Sequence, residues 1–398
     1  MIMIINIKTN IIGFLFIVNH FFYCQYPKSS VYSNENDNQS RLDIREQIMM
    51  DQKELYDVTI IGGGPAGLYS AFYSGLREMK TKLIEFQPQL GGKIHVYPEK
   101  MIWDVGGLTP VPGAKLMEQL VEQGLTFQPT VLLNEKVESI ERTEAGIFIL
   151  HTVSGQKHYS KTVIIAVGSG ILNPQKLEIE GAERFEVSNL HYTVKSLKQF
   201  KDKTVIISGG GNAAIDWANE LEPVAKKVYV AYRKETLSGH ESQVTHLLNS
   251  SAVCTFNTTI TKLIASTNHE LIERVELTNH ETKEVSYLSI DEVVINHGYE
   301  QDLTLLENSP LDITIVENYY IAGNAASESS IEGLYAAGDI LKHDGKLNLI
   351  AGAFQDAANA VNKAKQFIQP DADKIAMVSS HNEVFKNRNR ELVKQMMK

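Results

Sequence analysis

Cysteine is almost missing from this chain. Its 398 residues include two, Cys24 and Cys254. Thiols so far apart make neither a disulfide framework nor a C-x-x-C pair, and such sparse usage fits a reducing cytosol. An excess of positive charge is missing as well. The 38 Lys and Arg stand against 48 Asp and Glu, a formal net charge of −10. That argues against nucleic acid, whose phosphates need a basic face, and leaves room for a small basic patch docking an acidic protein. A membrane-spanning run is missing too. Ile11 to Cys24, "IIGFLFIVNHFFYC", is apolar but broken by Asn19 and His20, and falls short of the roughly 20 apolar residues that cross a bilayer. With Lys8 before it, this stretch resembles the core of a secretory signal, yet no small-x-small cleavage site follows cleanly. Tyr26 to Glu46 is polar and has little to bury. Residues 1–49 therefore read as a non-native or mis-assigned start, with a signal or anchor as the alternative.

What is present is a chain that is 43% hydrophobic and long enough for two or three domains. The most informative stretch is "YDVTIIGGGPAGLYSAFYSGLREMKTKLIEF", from Tyr56 to Phe86. Val58 to Ile61 reads as a strand buried on both faces of a parallel sheet. Gly62, Gly64 and Gly67 form G-x-G-x-x-G, and Ala66 opens a helix expected over Ala66 to Met79 and belongs to the same cofactor contact. The first glycine permits the tight turn, the second lets a pyrophosphate approach, and the third lets helix and strand pack closely. The helix N-terminus offers unpaired N–H groups and partial positive charge to the phosphates. A second strand, Lys82 to Phe86, carries Glu85 about 20 residues downstream, where a carboxylate accepts from ribose hydroxyls. A glycine turn alone is weak evidence; strand, helix and acid together point to a dinucleotide.

The pattern recurs. Thr204 to Ser208 reads as a strand. Gly209, Gly211, Asn212, Ala213 and Ala214 make G-x-G-x-x-A, with a helix over Asn212 to Leu221 and the next strand at Lys227 to Ala231. Where the first unit has Glu85, this one has Arg233 and Lys234. A cation there suits a 2′-phosphate, so the second ligand reads as NADP(H); the plainer alternative is a solvated strand end. Two dinucleotide sites in one chain imply two cofactors exchanging electrons, FAD resident in the first and NADPH visiting the second.

A third element lies late in the chain. "IEGLYAAGDI", Ile331 to Ile340, reads as a short strand ending at Gly338 and Asp339, and a long helix follows from about Leu349. Asp339 suits a polyol such as the ribityl chain, and the helix N-terminus suits negative charge on a reduced flavin. By itself Asp339 would be an ordinary loop acid. The expected fold class is α/β, with two Rossmann-like domains: a discontinuous FAD domain and an inserted NADPH domain. The FAD domain is expected to open over 50–169 and to be completed over 290–370. The NADPH domain takes 170–289 between them, and a C-terminal segment follows at 371–398.

The order GGGPAG, "AVGSG", GGGNAA, "GLYAAGD" is similar to that of the two-dinucleotide flavoprotein reductases, and the layout from Tyr56 onward is thioredoxin-reductase-like. "PQLGGKIHVYPEK" (Pro88 to Lys100), "GKLNLIAGAFQDAANAVN" (Gly345 to Asn362) and "MVSSHNEVF" (Met377 to Phe385) resemble the thioredoxin-reductase-type ferredoxin–NADP⁺ reductases of bacteria. That resemblance implies further flavin contacts: Lys93, Tyr97 stacked on the ring, Val137 and Leu172 through their backbones, and Ser380 near N5. Ordinary core packing is the other reading of Tyr97. The resemblance also implies a homodimer that passes electrons to ferredoxin or flavodoxin, and the sparse cysteines place it in the cytoplasm. One departure is Val378, where the family often lays an aromatic ring over the flavin; His381 is nearby.

In a thioredoxin reductase the redox cysteines would fall near Leu190 to Lys195, where this chain has "LHYTVK". Neither His191 nor Tyr192 stores two electrons as a dithiol does, so both read as packing or interdomain contacts. Electrons are then expected to leave directly from the flavin. No acid–base dyad and no metal site are expected. The competing readings are a flavin oxidase or diaphorase-like reductase, a disulfide reductase, and a non-catalytic nucleotide-binding protein.

Overall fold

The computed structural model describes residues 54–168 and 173–397. The expected start over 1–49, and Leu172, lie outside the described residues.

Two sheets, one mixed and one parallel, organise the chain. The first is built from β1 (Leu55–Ile61), α1 (Pro65–Leu76), β2 (Thr81–Ile84), α2 (Gly113–Gly124), β3 (Thr130–Leu132), β4 (Val137–Arg142), β5 (Phe148–Thr152) and β6 (Lys157–Ile165). Its strand order is β3-β2-β1-β6-β5-β4. The first three strands and β6 run parallel, whereas β4, β5 and the start of β6 form an antiparallel meander. The apolar run of β1 is buried on both faces: Val58 and Ile60 enter one core with α1, and Ile61 enters another.

The chain then leaves this sheet. The second contains β7 (Leu190–His191), β8 (Thr204–Ser208), α3 (Asn212–Leu221), β9 (Lys227–Ala231), α4 (Glu241–Leu248) and β10 (Val253–Thr255). A meander of β11 (Thr258–Ala265), β12 (Ile272–Asn279) and β13 (Val285–Ser289) follows, then β14 (Glu292–Ile295). The strand order is β10-β9-β8-β14-β7, parallel throughout. Val205 and Ile207 face a core with α3, and Ile206 faces the opposite core.

After β14 the chain returns to the first sheet. β15 (Leu334–Ala336) pairs with the C-terminal half of β6, Leu334 opposite Val163 and Ala336 opposite Ile165. α5 (Ile350–Ile368) packs against α1, and α6 (Lys386–Met396) ends the described chain. The architecture is two Rossmann-like domains, the first completed only after the second. The strand expected over Ile331 to Ile340 is limited to Leu334–Ala336, because Gly338–Ile340 tightens into a 3₁₀ turn. Where the chain crosses between sheets, the two passes pair: Gln175 N donates to Gly298 O and Glu300 N to Asn173 O, both at 2.9 Å.

Candidate functional site: a cleft between two glycine turns

The parallel strands β1, β2 and β6 end at one rim, as do the strands of the second sheet. A cleft of about 720 Å³ opens there, within the range of about 300–1,000 Å³ usual for small-molecule sites. One wall is the first glycine turn. Gly62 has φ +106° and passes so close to the Ala166 carbonyl that any Cβ would clash; a Cβ on Gly67 would overlap the Gly62 carbonyl. Gly64 is the N-cap of α1 and borders the cleft, with only Gly92 Cα within reach of an added Cβ, at 3.7 Å. The turn therefore leaves room beside the unpaired N–H groups of α1, the requirement for a pyrophosphate.

Glu85 follows directly after β2. Its carboxylate accepts from Gly63 N at 2.5 Å and from Gln87 N at 2.6 Å. Burial pushes its pKa up, and the backbone N–H groups of Gln87, Gly63 and Phe86 oppose that shift. Further along the cleft stand Lys93, Tyr97, Val137 and Asp339, so the first turn, Glu85 and these four share one cavity. Tyr97 is pushed up to about 12, chiefly by burial and then by Asp339 and Asp104, so its phenol stays protonated. Lys93 Nζ lies 5.9 Å from the Tyr299 ring. The first turn of α5 reaches the cleft through Ile350 and Ala353, which places a helix N-terminus at its wall.

The second glycine turn adjoins the same cavity. Ala213, Asp216 and Trp217 present one face of α3 to it. A Cβ on Gly211, the N-cap of α3, would meet open space. Asn212 is engaged otherwise: its Oδ1 accepts from His240 N at 2.9 Å. Arg233 and Lys234 are exposed and make no ion pair among the described residues.

Some cleft residues have no sequence motif. Tyr319, pushed up to about 12 by burial, then Asp302, Tyr320 and Asp339, contributes from the return segment. Asn296 borders the cleft, and its buried Oδ1 accepts no hydrogen bond. Lys136 pairs with Asp302 across the rim. Only the patterned strand end at Asn296 gives a sequence signal, because ligands gather at the C-terminal ends of parallel strands.

Ser380 is not brought to the cleft. It sits in the short turn Ser379–His381, and the tail around it is fastened to the far end of α1. Arg77 Nη2 donates to Asp373 O at 2.6 Å, Ala376 N to Tyr73 Oη at 3.3 Å, and Phe385 packs on Phe72 and Phe127. The 12 residues of α1 span about 18 Å, which separates this anchorage from the glycine turn. Neither Val378 nor His381 borders the cleft.

The stretch without cysteines has a structural occupation. His191 Nε2 and Glu292 meet at 2.6 Å, and Lys203 joins the same carboxylate. Thr193 Oγ1 donates to Val96 O at 2.9 Å, and Leu197 N to the Glu99 carboxylate at 2.8 Å. Lys100 adds ion pairs to Asp216 at 2.8 Å and Glu220 at 3.6 Å. The segment thus braces the inserted domain against the turn that carries Tyr97.

A family model for pyridine nucleotide-disulphide oxidoreductases matches residues 56–364. The chain belongs to that family. The oxidoreductase is 81% identical to ferredoxin–NADP reductase 1 of Bacillus mycoides, over 88% of this chain and 100% of that relative. It is 72% identical to ferredoxin–NADP reductase 2 of Exiguobacterium sibiricum, over 87% of this chain and 99% of the relative. Among solved structures, Lactococcus lactis thioredoxin reductase (FR conformation) superposes with TM-score 0.66 at 25% identity, covering 79% of this chain and 99% of that one. The T. acidophilum thioredoxin reductase gives 0.67 at 22% identity, with the same coverage. These matches make the oxidoreductase an enzyme of flavin and pyridine nucleotide on a thioredoxin-reductase fold. No helix among the described residues is long and apolar enough to cross a membrane.

Proposed function

We propose that this oxidoreductase carries electrons from NADPH through bound FAD to ferredoxin or flavodoxin, with no thiol between flavin and acceptor. The observation that carries the reading is one cavity bordered by both glycine turns, facing a brace where a disulfide reductase would need cysteines. The residues fit FAD. The first turn leaves space at the α1 N-terminus for a pyrophosphate, Glu85 offers ribose acceptors, Asp339 suits the ribityl hydroxyls, and Tyr97 is a neutral aromatic wall. Val137 and Leu172 are assigned backbone contacts and Lys93 a place near the ring; Ser380, held with the tail at the far end of α1, is assigned no flavin contact from its own protomer. NADPH belongs to Gly209–Ala214, its 2′-phosphate to Arg233 and Lys234. Bound FAD supplies the conversion of a hydride donor's electron pair into single-electron transfers.

The protein's own role is binding, orientation and exclusion of water. The α1 N-terminus neutralises phosphate charge. The unpartnered Oδ1 of Asn296 offers an acceptor at the meeting of the two sites. Cys254 is half-buried on β10, and burial raises its thiol, so it is a poor nucleophile.

The domain limits adopted are 50–169, 170–297, 298–370 and 371–398, the boundary expected at 289/290 being moved past β14 because Glu292–Ile295 pairs with β8 and β7, and the paired crossings at 173–175 and 298–300 are the hinge. The enzyme is assigned to the cytoplasm as a homodimer, for which α6 offers exposed Leu392, Val393 and Met396. The reading is tested by steady-state kinetics with NADPH against NADH, using ferredoxin with cytochrome c as reporter. NADPH-driven, ferredoxin-dependent reduction is expected. Rapid oxygen consumption without ferredoxin reduction would make the protein an oxidase instead.

A further inference from the structure

Behind the cleft wall lies a buried ion pair to which none of these roles has been given. Asp356, on α5, and Lys346, in the loop before it, form a salt bridge with side chains 8% and 4% exposed. The same Asp356 Oδ2 accepts from Gly338 N at 3.0 Å. His343 Nε2 stands 4.0 Å from Oδ1. One carboxylate therefore ties together two segments that both reach the cleft.

The first is the turn that presents Asp339. Gly338 has φ +78°, and a Cβ there would lie 2.9 Å from Ala66 Cβ, so this turn is pressed against the first residues of α1. The second is the loop that delivers the first turn of α5. Leu347 O lies so close to Gly352 that a Cβ would clash, so the loop is folded tightly on the helix. Asn348, Leu349 and Ile350 of this junction border the cleft. A buried ion pair is by itself a weak source of stability, since apolar residues of similar volume often serve as well. What this pair does beyond filling space is hold Gly338 N and the Lys346 loop at a fixed separation.

We propose that Asp356 and Lys346 are positioning residues for the flavin, one carboxylate setting both the Asp339 turn and the N-terminus of α5. The proposal rests on the reading of this cleft as the FAD site. Removing one partner leaves a buried charge unpaired and endangers the fold. The decisive variant is therefore the double change Asp356→Asn with Lys346→Gln, which removes both charges at nearly constant shape.

The test uses the full chain stripped of flavin and titrated with FAD, followed by flavin fluorescence. Binding of 2′,5′-ADP at the second site serves as the fold control. With that control unchanged, the double variant is expected to raise the FAD Kd about tenfold or more, the lower end of losses seen when groups supporting a ligand shell are removed. Lys346→Arg, which keeps a positive charge beside Asp356, is expected to bind FAD more tightly than the double variant. A double variant that binds FAD as tightly as the parent would overturn the proposal and leave the pair a packing feature. Failure of the parent apoprotein to take FAD, with 2′,5′-ADP still bound, would instead overturn the functional reading, and the proposal with it.

Discussion

At the residue scale, charge and burial decide the expected behaviour. Arg233 is exposed and free of ion pairs among the described residues, so it is available to a 2′-phosphate. A hydrogen bond to a charged group contributes about 1.5–3 kcal/mol, or roughly 10- to 100-fold. Arg233→Ala is therefore expected to raise the KM for NADPH by that factor while leaving the KM for NADH nearly unchanged. Equal losses for both nucleotides would remove Arg233 from phosphate recognition. Glu85 makes a second prediction. Burial raises its pKa in the free protein, so below that pKa the carboxyl holds a proton. Ribose hydroxyls donate to the ionised form, which makes FAD binding release the proton. Affinity of the apoprotein for FAD should then rise with pH through the carboxylate range and level off above it, and Glu85→Gln should flatten the profile. A parent profile that is flat, or falls with pH, would contradict this. Glu85 and Arg233 were legible in the sequence because each follows a strand at a fixed distance from a glycine turn. Tyr319 was not, because it reaches the cleft from the return segment with no motif of its own; Asn296 carried only the signal of a parallel strand end, and the tie that Asp356 makes behind the wall joins segments whose contact no local pattern names.

At the element scale, glycine turns and the helices they open transfer well from sequence to structure. The strands at Thr204–Ser208 and Lys227–Ala231 and the helix at Asn212–Leu221 lie where their patterns place them. The helix expected to reach Met79 ends at Leu76, where Arg77 turns away to hold the tail. Pairing was less legible: the single apolar run of β6 serves β1 on one side and both β5 and β15 on the other, and local pattern does not name partners. Close contact makes the third glycine testable. Gly67→Ala would drive a Cβ into the Gly62 carbonyl, so it is expected to yield protein largely free of flavin; yellow protein with the parent's flavin content would contradict the turn geometry. The brace is testable as well. Lys100→Met removes the ion pairs to Asp216 and Glu220 and is expected to speed hydrogen exchange at Leu197 N, with the β8 amides unchanged. An unaltered Leu197 rate would show that the brace does not depend on Lys100.

At the scale of the whole molecule, the two sheets meet around one cleft, and the segment where cysteines would carry electrons is committed to holding them together. The C-terminal segment is fastened to the far end of α1, a placement the sequence pattern did not reveal, since apolar residues scattered along a highly charged tail name no partner surface. The central claim is that electrons pass from flavin to a separate carrier without a thiol. The most direct measurement is anaerobic stopped flow. Protein is first treated with N-ethylmaleimide, reduced by NADPH, and mixed with oxidised ferredoxin. Ferredoxin reduction is expected at the rate of the untreated protein. Loss of ferredoxin reduction on alkylation, with NADPH still bleaching the flavin, would contradict it.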